Sequence, residues 1–331
     1  MRAIVIRSPG GPEVLELRDV PDPNPPFGHV RIRVAFAGVN RADLLQRAGF
    51  YPAPPGVPAD IPGLEYVGTI DAVGDGVTRF SAGERVYGIV GGGAYAEYVV
   101  VHEREVARAP QSLGDELAGA APEAFVTAYD ALVVRGRLQP GERVLVHAAG
   151  SGVGTAGVQI AKALGCFVIG TSRTPDKLER CRSFGMDEGI VVTNAQFADA
   201  VRACTNGGGV DVVLDLVGGP YLPETINAAA LRARIVLVGL SAGATADINL
   251  GLVLRKRLEL IGTVLRSRPL EEKIEAATML ERNIGPWLER GVVKPIVDRV
   301  FPLADAAEAH RYVASNASFG KVLLDVRAAR S

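Results

Sequence analysis

Cysteine, lysine and tryptophan are all scarce in this chain of 331 residues: three cysteines, six lysines beside 30 arginines, and one tryptophan. Cys166, Cys181 and Cys204 are too few and too far apart for a disulfide framework or a CxxC metal knuckle. They read as small buried hydrophobes in a reducing compartment. No sign of charge prevails, since 37 acidic and 36 basic residues leave a formal charge of −1 and the arginines are scattered. No global field therefore draws the chain to nucleic acid or anionic lipid, and neither is an expected partner. Apolar runs near the ~18 residues of a membrane span are missing. The opening Met1-Arg2-Ala3-Ile4-Val5-Ile6-Arg7 is charged where a secretory apolar core would run. A soluble, cytoplasmic protein is expected.

What is present is a globular balance, 48% apolar and 22% charged, enough for two domains at roughly 100–200 residues each. The first part, residues 1–123, is rich in short strands and turns. Ala3–Ile6, Val30–Val34, Tyr66–Val73, Arg85–Val90 and Ala96–Val101 have strand composition, broken by punctuation such as Pro21-Asp22-Pro23-Asn24-Pro25-Pro26. That spacing predicts a small barrel or sandwich with one helix, Arg41–Ala48. From residue 124 to 263 the rhythm changes to apolar strands alternating with helices: Val144–Ala148, Phe167–Gly170, Ile190–Val192, Val210–Asp215, Ile235–Gly239 and Leu258–Gly262, with helices Thr155–Leu164 and Pro175–Phe184 among them. Six such strands predict an α/β, doubly wound parallel sheet. Residues 264–331, with a long helix Leu270–Ile284, a strand Val297–Phe301, a helix Ala304–Ser315 and a last strand Val322–Val326, are expected to return to the first domain.

The sharpest local signal is His147-Ala148-Ala149-Gly150-Ser151-Gly152-Val153-Gly154-Thr155-Ala156-Gly157, after a buried strand and at the head of a helix. Glycines there let the backbone approach a pyrophosphate, and the helix N-terminus offers free N–H groups. The strand–turn–helix context gives a bare GxGxxG match its weight. About 20 residues on, an NAD site would carry an acid for the ribose hydroxyls. This chain has Gly170-Thr171-Ser172-Arg173-Thr174-Pro175-Asp176-Lys177, where small polar residues and the bases Arg173 and Lys177 suit a 2′-phosphate. NADPH is the expected cofactor.

Together with that turn, Asn40-Arg41-Ala42-Asp43-Leu44-Leu45-Gln46-Arg47-Ala48-Gly49, the segment from Tyr51 to Gly68, and Thr127-Ala128-Tyr129 resemble the zinc-free quinone oxidoreductases of the medium-chain dehydrogenase/reductase superfamily. Within it the tumour-suppressor-inducible, zeta-crystallin-like branch is most similar, sharing Ser-Gly-Val-Gly and a Leu-Arg-Ser-Arg stretch, here Leu265–Arg268. The resemblance runs from Met1 to Val326. It implies a GroES-like catalytic domain, a Rossmann domain, a homodimer pairing the sixth strands of two sheets, and NADPH-dependent quinone reduction in the cleft between the domains. Zinc relatives carry Gly-His-Glu where this chain has Gly63-Leu64-Glu65, and His29, His102, His147 and His310 lie far apart, so no metal is expected.

By the same resemblance, Asn40 and Thr127 are contacts of the nicotinamide ribose and carboxamide, and Ser151, Gly152, Val153 and Gly154 form the pyrophosphate turn. Arg173 and Lys177 lie in the 2′-phosphate neighbourhood, while Gly239, Leu265, Arg266 and Lys321 close over the cofactor. Tyr51 lines the quinone pocket. Two positions depart from the pattern: Val192 stands where relatives often place a tyrosine, and Ser151 where many have glycine.

Quinone reduction needs an aligned hydride donor and exclusion of water, with one hydrogen-bond donor for the developing hydroquinone oxygen. Tyr51, in a loop stiffened by Pro52, Pro54 and Pro55, is the candidate donor, and Asn40 an orienting amide. The competing readings are an enoyl or alkenal reductase on the same fold, and a non-catalytic NADPH-binding or structural protein.

Overall fold

The computed structural model describes residues 1–327, which form two compact units, residues 1–126 with 265–327, and residues 127–264. In the first unit β1 (Arg2–Ile6) pairs antiparallel with β2 (Leu15–Asp19). A larger sheet contains β3 (His29–Val39), β4 (Glu65–Val73), β5 (Arg85–Ile89), β6 (Tyr98–His102) and β7 (Ala107–Arg108). Strand alternation decides what β3 buries: Val30, Ile32 and Val34 enter the core, while Arg31 and Arg33 turn outward onto Asp71. The β3–β4 register slips between Arg31 and Ile32 and again between Val34 and Phe36. Such irregularities bend a sheet toward closure. Helix α1 (Arg41–Arg47) begins where Asp43 reaches back to accept the Asn40 N–H at 2.8 Å. Next come α2 (Asp115–Gly119) and α3 (Pro122–Tyr129), the latter opening on a proline whose missing N–H costs a first turn nothing.

The second unit holds β8 (Arg143–Val146), β9 (Phe167–Ser172), β10 (Glu188–Val191), β11 (Val210–Asp215), β12 (Ala229–Leu237) and β13 (Glu259–Gly262). All pair in parallel, in the order β10-β9-β8-β11-β12-β13, which is the doubly wound six-stranded sheet that the alternation predicts. Val144, Leu145, Val168, Ile169, Val212, Val213, Ile235 and Val236 are completely buried, as parallel strands covered on both faces require. The helices are α4 (Gly152–Ala163), α5 (Pro175–Arg182), α6 (Ala198–Cys204), α7 (Tyr221–Ala228) and α8 (Leu250–Lys256).

The chain then rejoins the first unit through α9 (Leu270–Met279), α10 (Gly285–Glu289), β14 (Val297–Pro302), α11 (Ala306–Ala314) and β15 (Lys321–Asp325). β15 pairs antiparallel with β3, placing Leu323 opposite Gly38. The single helix expected over 270–284 is divided. Its α-helical part ends at Met279 and a π-helical turn, Leu280–Ile284, leads into α10, whose first turn holds Pro286. Proline cannot donate to the ladder, so a new start is needed there. The expected strand end at Gly239 also shortens to Leu237, because the Val238 and Gly239 N–H groups both turn onto the Asp215 carbonyl.

Candidate active site

In the second unit the chain reverses its winding between β8 and β11, the switch point at which open α/β sheets bind ligands. Past β8, His147 is buried with its ring nitrogens 2.9 Å from the hydroxyls of Thr171 and Thr225. Burial holds its pKa below the usual histidine value. Ala148 takes a left-handed φ of 51°, which folds the chain back under the strand end. Ser151 then caps α4, its Oγ accepting the Gly154 N–H at 3.0 Å. The Gly152 and Val153 N–H groups have no acceptor among the described residues. Two open amides at a helix head, with the helix dipole behind them, fit a phosphate.

Gly154 makes this geometry possible, because a Cβ there would lie 2.3 Å from the Ala148 oxygen and 2.7 Å from the Ala149 oxygen. Both are backbone atoms of the turn itself. Gly154→Ala is therefore expected to destabilise the protein by about 1–3 kcal/mol and to weaken dinucleotide binding. Denaturant midpoints and a fluorescence titration check both effects.

At the end of β9 the Ser172 Oγ accepts the Thr174 N–H at 3.2 Å. Arg173 is exposed and forms no ion pair among the described residues, while Lys177 is half-buried in the first turn of α5. Val192 is buried in the core and receives its backbone bond from the β9 end, donating to the Ser172 carbonyl. Gly239 sits close against β11, where a Cβ would meet the Leu216 oxygen at 2.8 Å. Thr127, in α3, is buried.

The first unit gathers the remaining polar residues. Lys321, at the start of β15, has its ammonium 2.5 Å from Glu65 Oε1, 2.6 Å from Asn40 Oδ1 and 3.4 Å from the Val39 carbonyl. Asn40 Nδ2 donates to Glu65 Oε1 at 2.9 Å. Both ends of the Asn40 amide are thus fixed. All three ammonium donors of Lys321 are engaged, so in this structure Lys321 orients Asn40 and offers no free donor to a ligand. Behind this cluster Asp43 is completely buried and accepts from the Asn40 and Gly63 N–H groups and the Tyr95 hydroxyl. Burial nevertheless pushes its carboxyl up to about 6. Tyr95 and Arg47 reach His310, whose burial, together with the Arg47 charge, lowers it to about 3.

A pocket partly open to solvent lies in the same unit. Leu64, Ile89, Val90, Leu265, Ala276 and Ala277 make its walls apolar, with Glu105, Glu123, Arg266, Arg268 and Lys273 set among them. Arg266 is buried and its three nitrogens donate to the Gly91 carbonyl, the Tyr51 carbonyl and Gln46 Oε1 at 2.7, 3.0 and 2.5 Å. The half-buried Tyr51 ring lies 5.0 Å beneath the guanidinium. Tyr51 is therefore not part of the wall and meets it through Arg266. Its hydroxyl has no hydrogen-bond partner among the described residues, and desolvation raises its pKa. Arg266 holds the proline-rich loop, a positioning role that its sequence place beside Leu265 does not show.

Three acids that sequence reasoning left without a role, Asp43, Glu65 and Glu123, prove central to this unit. The available signal was a single charge inside an apolar run, as in Leu64-Glu65-Tyr66-Val67. Among the described residues no group of three or more His, Cys, Asp and Glu side chains is placed to hold a metal.

Two family models match the chain, an alcohol dehydrogenase GroES-like domain over residues 26–111 and a zinc-binding dehydrogenase over residues 152–282. The quinone oxidoreductase of Rattus norvegicus is 34% identical over 328 residues, spanning 98% of this chain and 97% of its own. The crystal structure of Escherichia coli quinone oxidoreductase complexed with NADPH superposes with a TM-score of 0.88 at 30% identity, over 98% of this chain and 100% of that one. A structure described as an NAD-dependent alcohol dehydrogenase is similarly near, with a TM-score of 0.86 and 35% identity over 98% and 100% of the two chains. Full-length identity at this level, a GroES-like unit, a six-stranded parallel sheet and leucine in place of a zinc-binding histidine place the chain among the zinc-free quinone oxidoreductases of the medium-chain dehydrogenase/reductase superfamily.

Proposed function

We propose that the chain is an NADPH:quinone oxidoreductase. One observation carries the cofactor reading: open amides at Gly152 and Val153 are followed at the β9 end by an exposed, unpaired Arg173, where an NAD site would present an acid. The Escherichia coli relative bound to NADPH supports it. Ser151, Gly152, Val153 and Gly154 hold the pyrophosphate, Arg173 and Lys177 the 2′-phosphate, and Asn40, Thr127, Gly239 and Leu265 the nicotinamide end, with Lys321 and Arg266 fixing Asn40 and the Tyr51 loop.

Bound NADPH supplies a hydride from its nicotinamide ring. The chain's own residues orient the acceptor and keep water out. The amide of Asn40 is held in one orientation by Lys321 and Glu65, so its direction is set before any ligand arrives. Leu64, Ile89, Val90 and Leu265 give a planar apolar acceptor a dry wall. Tyr51, protonated and without a protein partner, donates to the developing hydroquinone oxygen. Tyr51→Phe is expected to lower quinone kcat about five- to tenfold, the worth of one neutral hydrogen bond, while NADPH affinity stays the same. Unchanged turnover would remove that role.

A panel of 1,4-benzoquinone, 9,10-phenanthrenequinone and an α,β-unsaturated ketone tests the acceptor class. Quinone turnover is expected. Turnover of the enone alone would make the chain an alkenal reductase, and NADPH binding without any turnover a structural or sensing protein. A homodimer fits as well. β13 is an edge of its sheet, its Leu260 39% exposed and Val264 just beyond its end 48% exposed, and edges of that kind are normally covered. Sedimentation at increasing concentration reads its mass.

A further inference from the structure

Of the ionisable groups in the cavity wall, Glu123 is the one placed to give up a proton. It is half-buried at the head of α3, and Thr127 follows one turn further along the same helix. Its backbone N–H donates to Glu65 Oε2 at 2.9 Å, which sets the buried Glu65 carboxylate directly behind it. No donor among the described residues hydrogen-bonds its own carboxyl oxygens. The other candidates are less able. The Arg266 guanidinium does not deprotonate and already donates to three protein acceptors. Burial raises the Glu105 carboxyl as well, but the Lys273 charge opposes that rise, and Arg268 pairs with Glu272. Tyr51 is not among the wall residues, and desolvation raises its phenol above the usual value, so it offers the acceptor a hydrogen bond and not the proton.

We propose that Glu123 is the general acid of the reaction, delivering the proton that completes reduction of the acceptor in this cavity. The inference rests on the quinone reading. Hydride addition leaves the acceptor as a hydroquinone monoanion. The Glu123 O–H bond then breaks, its proton passes to the anionic oxygen, and the carboxylate is reprotonated from solvent. In sum, NADPH, one proton and a quinone give NADP⁺ and a hydroquinone. The electrostatics agree. Withdrawal from water pushes the carboxyl up to about 8, with Glu65 and, less strongly, Asp43 adding to the rise against the opposing charges of Lys321 and Arg266. At neutral pH the acid is loaded.

Glu123→Gln keeps the shape and removes only the proton. Wild-type kcat/KM for 1,4-benzoquinone is expected to be level below about pH 8 and to fall above it, whereas the variant loses about 100-fold and shows no such limb. NADPH affinity should be the same in both. Infrared titration of the cofactor-free protein gives a second readout: a protonated-carboxyl band should persist at neutral pH in wild type and vanish in Glu123→Gln. A variant with wild-type rate and the wild-type limb would overturn the inference while leaving the quinone reading intact. So would a neutral-pH spectrum that the substitution does not change. A wild-type protein inert toward every quinone would instead defeat the quinone reading itself.

Discussion

Replacing Arg173 and Lys177 together by glutamate is expected to abolish a preference for NADPH over NADH of at least about 100-fold. The two cofactors differ only in the 2′-phosphate, so the preference measures what the protein offers that group. Charge-assisted hydrogen bonds contribute roughly 1.5–3 kcal/mol each, and two of them give about 10²–10⁴ in the ratio of kcat/KM values. Arg173 is exposed and without an ion pair, so its charge is not already committed within the protein. The glutamates reverse the sign and repel the phosphate, while two ribose hydroxyls would find acceptors. Loss should appear as a raised KM for NADPH and a lowered KM for NADH. A double variant that still selects NADPH strongly would show that the phosphate is held elsewhere.

Lys321→Met is expected to cost about 3–5 kcal/mol of folding stability, because removing one partner of a buried ion pair leaves the other charge uncompensated. Glu65 is completely buried and Lys321 is 4% exposed. Without the ammonium, Glu65 keeps only the Asn40 amide and the Glu123 N–H. Asn40 loses the contact that orients its carbonyl, so kcat should also fall in whatever fraction remains folded. Lys321→Met with Glu65→Leu removes both charges and should be less destabilised than Lys321→Met alone, an interaction that a double-mutant cycle in urea resolves. A loss in the double variant equal to the sum of the two single losses would mean that the pair is not coupled.

The parts of the protein legible in its sequence are those set by neighbours in the chain. The glycine turn is written within a few residues, since Ser151 caps the helix through Gly154 and Gly154 must clear the backbone of Ala148. The parallel sheet shows as apolar runs because its central strands are buried on both faces. Arg173 stands out because the strand end fixes where an acid would be. The first unit is different. Lys321 and Glu65 are 256 residues apart and meet only because β15 pairs with β3. His310 and Arg47, separated by 263 residues, meet through packing of α11 near α1. Nothing in local composition marks such pairs. Glu123 reads in sequence as an ordinary acid in the first turn of a helix, where the dipole favours it. Its importance comes from Glu65 behind it and the apolar cavity before it.

Initial rates of cofactor oxidation decide whether a 2′-phosphorylated nicotinamide cofactor serves a quinone acceptor in this protein. Absorbance at about 340 nm follows the reduced nicotinamide, with NADPH and NADH run in parallel against 9,10-phenanthrenequinone. Turnover is expected with NADPH at a kcat/KM at least about 100-fold above that with NADH. Equal use of the two cofactors, or tight NADPH binding with no quinone reduced, would contradict that expectation.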